Sequence, residues 1–136
     1  MFLKQVWLEQ YRNIQNASIQ PARYLTVLYG RNGQGKTNFL ESVYLLGNAR
    51  PFRVAKVPDL IKHGCHSAAV RGVALAAGVE STIVLHMENT ARRVTIDDKA
   101  VHRAAELHGK LAVVVFSPDD TAMVKLGPET RRRYLD

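Results

Sequence analysis

A glycine-rich segment between a predicted strand and a predicted helix constrains this chain more than any other feature. Residues 24–29 form a nearly continuous run of apolar, β-branched and aromatic side chains, typical of a strand buried on both faces. In residues 37–46 the apolar side chains recur three and four positions apart, which predicts a helix with Asn38 and Glu41 on its polar side. The segment between them, residues 30–37, reads G-x-x-x-x-G-K-T, and this strand, loop and helix order is that of a Walker A phosphate-binding loop.

The residue types in this loop match the chemistry of binding phosphate. Glycines let the backbone turn with its N–H groups facing inward, where they surround the α and β phosphates at the positive end of a helix. Lys36 is expected to reach the β and γ phosphates, and the Thr37 hydroxyl is expected to bind Mg²⁺, so ATP and Mg²⁺ are the predicted ligands. For Arg31, a phosphate contact and a position facing solvent are both open. The predicted nucleotide-binding residues of the loop are Gly30, Arg31, Asn32, Gly33, Gln34, Gly35, Lys36 and Thr37.

Charge and composition limit the partners and the compartment only broadly. At 136 residues the chain holds one domain at most, since a domain averages about 150 residues. Nineteen lysines and arginines against twelve acids leave a net charge of +7, which is compatible with polyanionic partners but does not choose among them. The longest apolar run, residues 111–116, is far shorter than the roughly 18 residues that span a membrane. With a single cysteine, Cys65, and no signal-peptide pattern, a cytoplasmic protein with no membrane partner is expected.

The rest of the pattern predicts short strands, most of them antiparallel. Strands are expected at residues 1–9 and 17–20, and a second buried strand at residues 111–116. Three β-type runs separated by turn residues predict a meander, and Asp97-Asp98 predicts a tight turn at its end. The meander runs are residues 68–76, 81–87 and 92–96, followed by 99–101, and short helices are expected at residues 58–63 and 104–107.

Several stretches of the sequence together resemble one family of proteins. The chain opens with F-L-K-x-x-x-L-x-x-Y-R-N, and its loop and the helix after it read Y-G-x-N-G-Q-G-K-T-N and L-E-S-V-Y-L-L. A basic stretch reads A-R-P-F-R, in which Pro51 replaces the small polar residue expected from the family. The end carries V-F-S-P-D-D and G-P-E-T-R-R-R-Y-L-D. In these motifs, over essentially its whole length, the chain resembles the amino-terminal part of the RecF family, bacterial recombination-mediator ATPases of the ABC/SMC-like class.

The resemblance implies a fold and a division into lobes. It implies an α/β P-loop NTPase of the ABC-ATPase type, in which lobe I has a mixed core sheet and an antiparallel β-subdomain. Lobe I is expected to take residues 1–127, with the Walker A loop at 30–37 and the β-subdomain at about 68–101. Residues 128–136 are then expected to be the start of a truncated helical lobe II.

The resemblance also adds residues to the predicted nucleotide site. Asn38 directly follows the loop, and Arg12 and Asn13 stand where related heads place residues beside the nucleotide. For Arg12 and Asn13 the alternative is a turn at the end of a strand.

Residues for hydrolysis are harder to find in the sequence. The carboxylates Asp119 and Asp120 follow an apolar run, but Ser117 and Pro118 separate them from it, which favours a helix-capping role over a role in binding metal. No L-S-x-G-Q signature and no strand ending in Asp-Glu follow Thr37. The family members are slow ABC-type ATPases. This chain is therefore expected to bind ATP without appreciable hydrolysis, and no catalytic residue is assigned.

The partners implied by the resemblance are DNA, RecO and RecR, with an ATP-dependent homodimer of the full-length protein. The implied function is to bind single-stranded DNA and gapped duplex and to support recombinase loading, replication restart and the SOS response. In the sequence itself, Arg50, Arg53, Lys56 and Lys62 are candidates for contacting DNA phosphates, as are the arginines of residues 131–133. A solvated basic surface is the alternative for both groups. The H-x-C-H motif of residues 63–66 lacks the second cluster that a metal site needs.

Two other functions fit a Walker A loop. A head fragment of another SMC-like DNA-repair ATPase would share the same lobe. A small-molecule P-loop kinase would be expected to continue after the loop with parallel βα units and an arginine-bearing lid. The antiparallel runs predicted between residues 68 and 101 favour an ATPase head over a kinase.

Overall fold

A six-stranded antiparallel sheet contains most of the regular structure in the computed structural model, which describes residues 1–53 and 55–116. The strand order is β2-β1-β3-β4-β5-β6, so every pair of neighbours except β1 and β3 is consecutive along the chain. The strands are β1 (Phe2–Tyr11), β2 (Ile14–Ile19), β3 (Ser67–Ala76), β4 (Val79–Glu88), β5 (Ala91–Ile96) and β6 (Lys99–Ala100). The helices are α1 (Lys36–Asn48), α2 (Val57–Leu60) and α3 (Ala105–His108).

Tight turns make this meander possible. Between β5 and β6 both central residues have positive φ, 49° at Asp97 and 64° at Asp98, a backbone shape that suits the twist of a two-residue hairpin. Ala77 and Gly78 form the same kind of turn between β3 and β4, with φ of 50° and 78°. The strands predicted for the meander, and the turn at Asp97-Asp98, are confirmed.

The hydrophobic core lies between α1 and one face of the sheet. Alternate side chains of the strands point to this face, and Val70, Ile83 and Leu85 are fully buried there. Helix α1 contributes Leu45 and Leu46, which are also fully buried. Burying side chains of this size stabilises the fold by about 1.5–3 kcal/mol each, so α1 is held firmly against the sheet.

Two predicted strands are absent from the described structure. Residues 24–29 and 111–116 pair with no described strand, and Tyr24, Tyr29 and Val114 are 89%, 91% and 91% exposed. Their composition suits a strand covered on both faces, but a strand also needs a neighbouring strand to hydrogen-bond with, and none of the described strands pairs with these segments. The prediction of buried strands is therefore wrong for these residues. The antiparallel part of the expected fold is present, whereas no mixed sheet forms within residues 1–53 and 55–116.

Residues 111–113 instead pack directly against α1. Leu111 is buried, and a Cβ atom added to Gly47 would lie 2.6 Å from Val113 Cγ2 and 2.9 Å from the Leu111 carbonyl oxygen. Only glycine fits at this contact. The helix ends at Asn48, one residue beyond Gly47. Its C-terminal cap is Ala49, whose φ of 55° lies in the left-handed region.

Some predicted features lie outside the described residues. These are Asp119, Asp120, the basic residues 131–133 and the expected start of lobe II at residues 128–136. Within the described part of the chain, no helix has the length and apolar character needed to cross a bilayer.

Candidate nucleotide-binding site

The loop before α1 has the backbone shape that its glycines predict. Gly33 and Gly35 have φ of 79° and 93°, in the left-handed region that favours glycine. Gly35 is the N-terminal cap of α1, and no side chain caps this helix end. The free N–H groups of the first turn, together with the helix dipole, therefore make this end of α1 attractive to an anion.

Lys36 folds back over the loop. Its Nζ atom donates hydrogen bonds to the carbonyl oxygens of Gly30, at 2.8 Å, and of Arg31, at 2.5 Å. A phosphate oxygen carries negative charge and is a stronger acceptor for an ammonium group than a neutral carbonyl. An incoming phosphate can therefore replace one of these bonds at little cost.

A cavity of about 460 Å³ opens beside the loop, and we call it the loop cavity. Its size is within the range of small-molecule sites. It brings together seven of the predicted nucleotide-binding residues, whereas Gly30, Arg31, Gln34 and Arg12 do not line it. It also includes Arg53, which the sequence assigned to DNA. The lining residues are Asn13, Asn32, Gly33, Gly35, Lys36, Thr37, Asn38 and Arg53.

A series of side-chain hydrogen bonds connects the loop to the turn between β1 and β2. Asn13, in the turn between β1 and β2, donates through Nδ2 to the Gly33 carbonyl at 2.9 Å. Its Oδ1 accepts from Asn38 Nδ2 at 2.7 Å, and Asn38 Oδ1 accepts from Arg53 Nη2 at 2.7 Å. Asn13 Oδ1 also lies 3.0 Å from where a Cβ atom of Gly35 would be. The turn therefore fixes the position of the loop backbone.

Glu41 is the centre of a buried ionic cluster one turn further along α1. Its side chain is fully buried and accepts five hydrogen bonds. Tyr11 Oη donates one at 2.7 Å, Arg12 donates two at 2.9 Å, and Arg53 donates two at 2.9 and 3.1 Å. One carboxylate thus ties together β1, the turn after it, helix α1 and the basic stretch that follows.

The pKa values of the cluster follow from burial and charge. Burial alone raises the pKa of Glu41, but the hydrogen bonds from Arg12, Arg53 and Tyr11 outweigh it and hold that pKa below its ordinary value. For Tyr11, burial and then the hydrogen bond to Glu41 raise the pKa, so its hydroxyl stays a proton donor. Burial lowers the pKa of Arg12, yet its hydrogen bond to Glu41 leaves that pKa raised. The cluster therefore remains ionic at neutral pH.

These contacts change the roles expected for two arginines and an acid. Arg12 was expected beside the nucleotide, but its guanidinium binds Glu41 and the carbonyl of Asp59, at 2.9 Å, away from the loop cavity. Glu41 was expected on the polar side of α1 and is buried instead. The signal was present in the sequence, because Leu45 lies four residues later on the same helix face and is apolar.

The other candidate DNA residues are not gathered at the loop cavity. Arg50 and Lys56 are exposed and Lys62 is half-buried. The Lys56 N–H group donates to Asp59 Oδ2 at 2.7 Å and so begins α2. None of these three side chains lines the loop cavity with Arg53. In the described part of the chain, no three His, Cys, Asp or Glu side chains are grouped so that they could hold a metal ion.

The fold and the site define a P-loop nucleotide-binding head, and comparison with known proteins identifies its family. The family model of the RecF/RecN/SMC N terminal domain matches residues 2–119. The chain therefore belongs to the RecF/RecN/SMC N-terminal domain family, and its fold is that of the ABC-type ATPase heads.

Its sequence relatives are RecF proteins. The chain is 90% identical over 136 residues to the DNA replication and repair protein RecF of Trichlorobacter lovleyi and 44% identical to that of Geobacter metallireducens. In both cases the match covers 100% of the chain and 37% of the relative. The chain thus matches the amino-terminal ATPase head of RecF and spans little more than a third of the length of these relatives.

Solved structures give the same result. The recombination mediator protein RecF with ATPrS in the RecFOR pathway matches with a TM-score of 0.88 and 31% identity, covering 99% of the chain and 37% of that protein. RecF with ATP in the same pathway matches with a TM-score of 0.85 and 31% identity, over 99% of the chain and 38% of that protein. The SMC head domain from Thermotoga maritima shares the fold, with a TM-score of 0.59 and 22% identity. This match covers 79% of the chain and 41% of that domain.

Proposed function

We propose that this chain is the ATP-binding part of a RecF-like DNA replication and repair protein. The observation that carries the proposal is the loop cavity, in which Lys36 and an uncapped helix N-terminus face the same open space. Positive charge and free N–H groups at one point suit the phosphates of a nucleotide. RecF proteins similar to this chain have been solved with ATP and ATPrS, which supports ATP as the ligand.

The residues present fit ATP and Mg²⁺. No heavy atom lies within 4 Å of where a Cβ atom of Gly33 would be, so a phosphate can approach the loop backbone there. Thr37 is exposed at the cavity, and its hydroxyl is the proposed ligand of Mg²⁺. Bound Mg²⁺ would neutralise charge on the phosphate oxygens while Lys36 holds the β and γ phosphates. Arg53 adds a further positive charge at the same cavity.

Binding without appreciable hydrolysis is part of the proposal. Hydrolysis needs a group that orients the attacking water and an acid that helps to hold Mg²⁺. Among the described residues, those that line the loop cavity include no carboxylate. The one acid close by, Glu41, is occupied by five hydrogen bonds and buried. We therefore propose that the chain holds ATP as a switch and does not turn it over.

For the whole protein we propose the RecF role. It would bind single-stranded DNA and gapped duplex, form an ATP-dependent homodimer and act with RecO and RecR. It would thereby support recombinase loading, replication restart and the SOS response. The support is the DNA replication and repair function named for the relatives and the RecFOR pathway named for the solved structures. The net charge of +7 is compatible with a DNA partner.

Calorimetric titration of the chain with Mg·ATP and Mg·ADP tests the proposal. Lys36→Ala removes the ammonium group at the loop and is expected to weaken binding roughly tenfold or more, the usual effect of losing a hydrogen bond to a charged group. Lys99→Ala is the matched control, because Lys99 is exposed on β6 and does not line the loop cavity. The control is expected to bind like the unmodified chain. Equal binding by the two variants, or no binding by the unmodified chain, would refute the proposal.

A further inference from the structure

A second cavity, of about 570 Å³, lies between the C-terminal end of α1, strand β5 and the segment before α3. We call it the arginine cavity, after Arg50, Arg92, Arg93 and Arg103 in its lining. It shares no lining residue with the loop cavity. Helix α1 connects the two cavities, and its 13 residues separate them by about 20 Å along the helix axis.

Among the described residues, no acid balances the positive charge in the arginine cavity. Its lining includes four arginines and His102 but no carboxylate. Arg12 and Arg53 both pair with Glu41, whereas within residues 1–53 and 55–116 none of the four cavity arginines forms an ion pair. Positive charge that lines one cavity without a counter-ion attracts an anion.

The acids closest to the cavity along the chain do not supply this balance. Glu106 Oε1 accepts from the backbone N–H groups of His102 and Arg103, at 3.2 and 2.9 Å, and so is occupied by the backbone. Glu88 lines a neighbouring cavity that shares Arg92 and Arg93, but it pairs with neither of them. The C-terminal end of α1 adds about half a negative charge, which four guanidinium groups exceed.

Arg92 shows how the fold holds unpaired charge in this place. It stands opposite Met87 in the β4–β5 register, and Met87 is fully buried on the core side of the sheet. Arg92 itself remains exposed, and its partial burial without a described partner lowers its pKa. A charge in that condition gains more from binding an anion than a fully solvated one does.

We propose that the arginine cavity binds the phosphodiester backbone of DNA, independently of sequence. Guanidinium groups bind phosphate oxygens through two parallel hydrogen bonds, and contacts of this kind position a protein on DNA without reading bases. The cavity has no phenylalanine, tyrosine or tryptophan on which a base or adenine could stack. It adjoins a further cavity of about 520 Å³ through Arg92 and Arg93, whose lining also includes His86 and Glu88, so the surface open to a polymer extends beyond the arginine cavity.

This inference rests on the proposed DNA function and gives it a location. Of the four DNA candidates within residues 50–62, it keeps Arg50 alone. Arg53 belongs to the loop cavity and to Glu41, and Lys56 and Lys62 lie outside the arginine cavity. DNA would thus bind at one end of α1 and ATP at the other.

The test is fluorescence anisotropy of a labelled oligo-dT strand, titrated with the chain at several salt concentrations. The variant Arg50→Gln/Arg92→Gln/Arg103→Gln removes three positive charges from the cavity. Each lost contact with a single strand lowers the steepness of log K against log salt by about 0.7, so a reduction of about 2 is expected. The control Lys4→Gln/Arg71→Gln/Lys110→Gln removes the same charge outside the cavity. It should keep the salt dependence of the unmodified chain.

Two further measurements, with ATP and with inorganic phosphate, separate the possible outcomes. ATP binding by the cavity variant should be unchanged, because the two cavities share no residue. An equal loss of DNA binding in the cavity variant and the control would overturn the inference, but the proposed DNA function would still stand. Binding of inorganic phosphate, measured by calorimetry, without any DNA binding would also overturn it, and with it the DNA part of the proposed function, but not the ATP part. If the triple variant does not fold, Arg50→Gln/Arg103→Gln changes only exposed residues outside the strands and serves the same test.

Discussion

Replacing Glu41 with glutamine should destabilise the chain far more than the same change at an exposed acid. The carboxylate accepts three hydrogen bonds at Oε2 and two at Oε1, all from donors. Glutamine keeps one oxygen, but its amide N–H groups then face guanidinium groups that also only donate. Removing one partner of a buried ion pair costs about 3–5 kcal/mol. Since the Arg53 side chain is 41% exposed and the Arg12 side chain 19%, we expect the lower end, about 3 kcal/mol.

Urea unfolding gives the assay. The midpoint of Glu41→Gln should move to lower urea with an unchanged slope, which reports lost stability in the same folded state. Glu80→Gln is the matched control, because Glu80 pairs with Lys4 on the surface and both side chains are largely exposed. Surface pairs contribute no more than about 1 kcal/mol, so its midpoint should move little. Equal shifts for the two variants would refute the reasoning that Glu41 organises the fold.

The same cluster predicts how stability depends on pH. The pKa of folded Glu41 lies below its ordinary value of 4.5, so its contribution is complete above that pH. Acid removes the contribution as the pH falls through the lowered pKa of the folded state. Between pH 5 and pH 3, about the range of carboxylate titration, Glu41→Gln should therefore lose less stability than the unmodified chain. A parallel loss in both would show that Glu41 has an ordinary pKa.

Two further substitutions test the packing at the C-terminal end of α1 and the support of the loop. Gly47→Ala should lower the free energy of unfolding by about 1–3 kcal/mol, the usual cost of overpacking, because the new methyl group would lie 2.9 Å from a carbonyl oxygen. Gly109→Ala is the control and should be tolerated, because the nearest atom to its new methyl group is 3.9 Å away. Thermal unfolding compares the two, and equal melting temperatures would contradict the contact. Asn13→Ala removes the hydrogen bond to the loop carbonyl and should weaken Mg·ATP binding several-fold in calorimetry, while Asn16→Ala, exposed on β2, should not. Equal affinities would mean that the turn does not position the loop.

The Walker A loop could be predicted because its information is local. Eight consecutive residues decide the turn, the helix start and the position of Lys36, and the strand-like and helical runs beside them can be recognised directly. The meander was predictable for a similar reason, since Asp97-Asp98 and its counterpart at residues 77–78 specify two-residue turns by themselves. Where a few adjacent residues determine the backbone, the sequence was sufficient.

Features that depend on distant partners were not predictable in the same way. Residues 24–29 have the composition of a buried strand, yet composition does not say whether another strand lies alongside. Arg12 and Arg53 stand 29 and 12 residues from Glu41 in the sequence, and only the folded chain shows that both bind this carboxylate. The sequence assigned Arg12 to the nucleotide and Arg53 to DNA, and neither assignment included the bonds of these arginines to the buried Glu41. The arginine cavity likewise combines residues from three elements.

A crystal structure of the chain with Mg²⁺ and a non-hydrolysable ATP analogue tests the central claim most directly. We predict that the phosphates occupy the loop cavity and that Lys36 Nζ leaves the Gly30 and Arg31 carbonyls for the β and γ phosphates, with Thr37 on Mg²⁺. The hydrogen bonds from Asn13 to the Gly33 carbonyl and from Asn38 to Asn13 should be unchanged. An analogue bound elsewhere, with Lys36 still held by the loop carbonyls, would contradict the account.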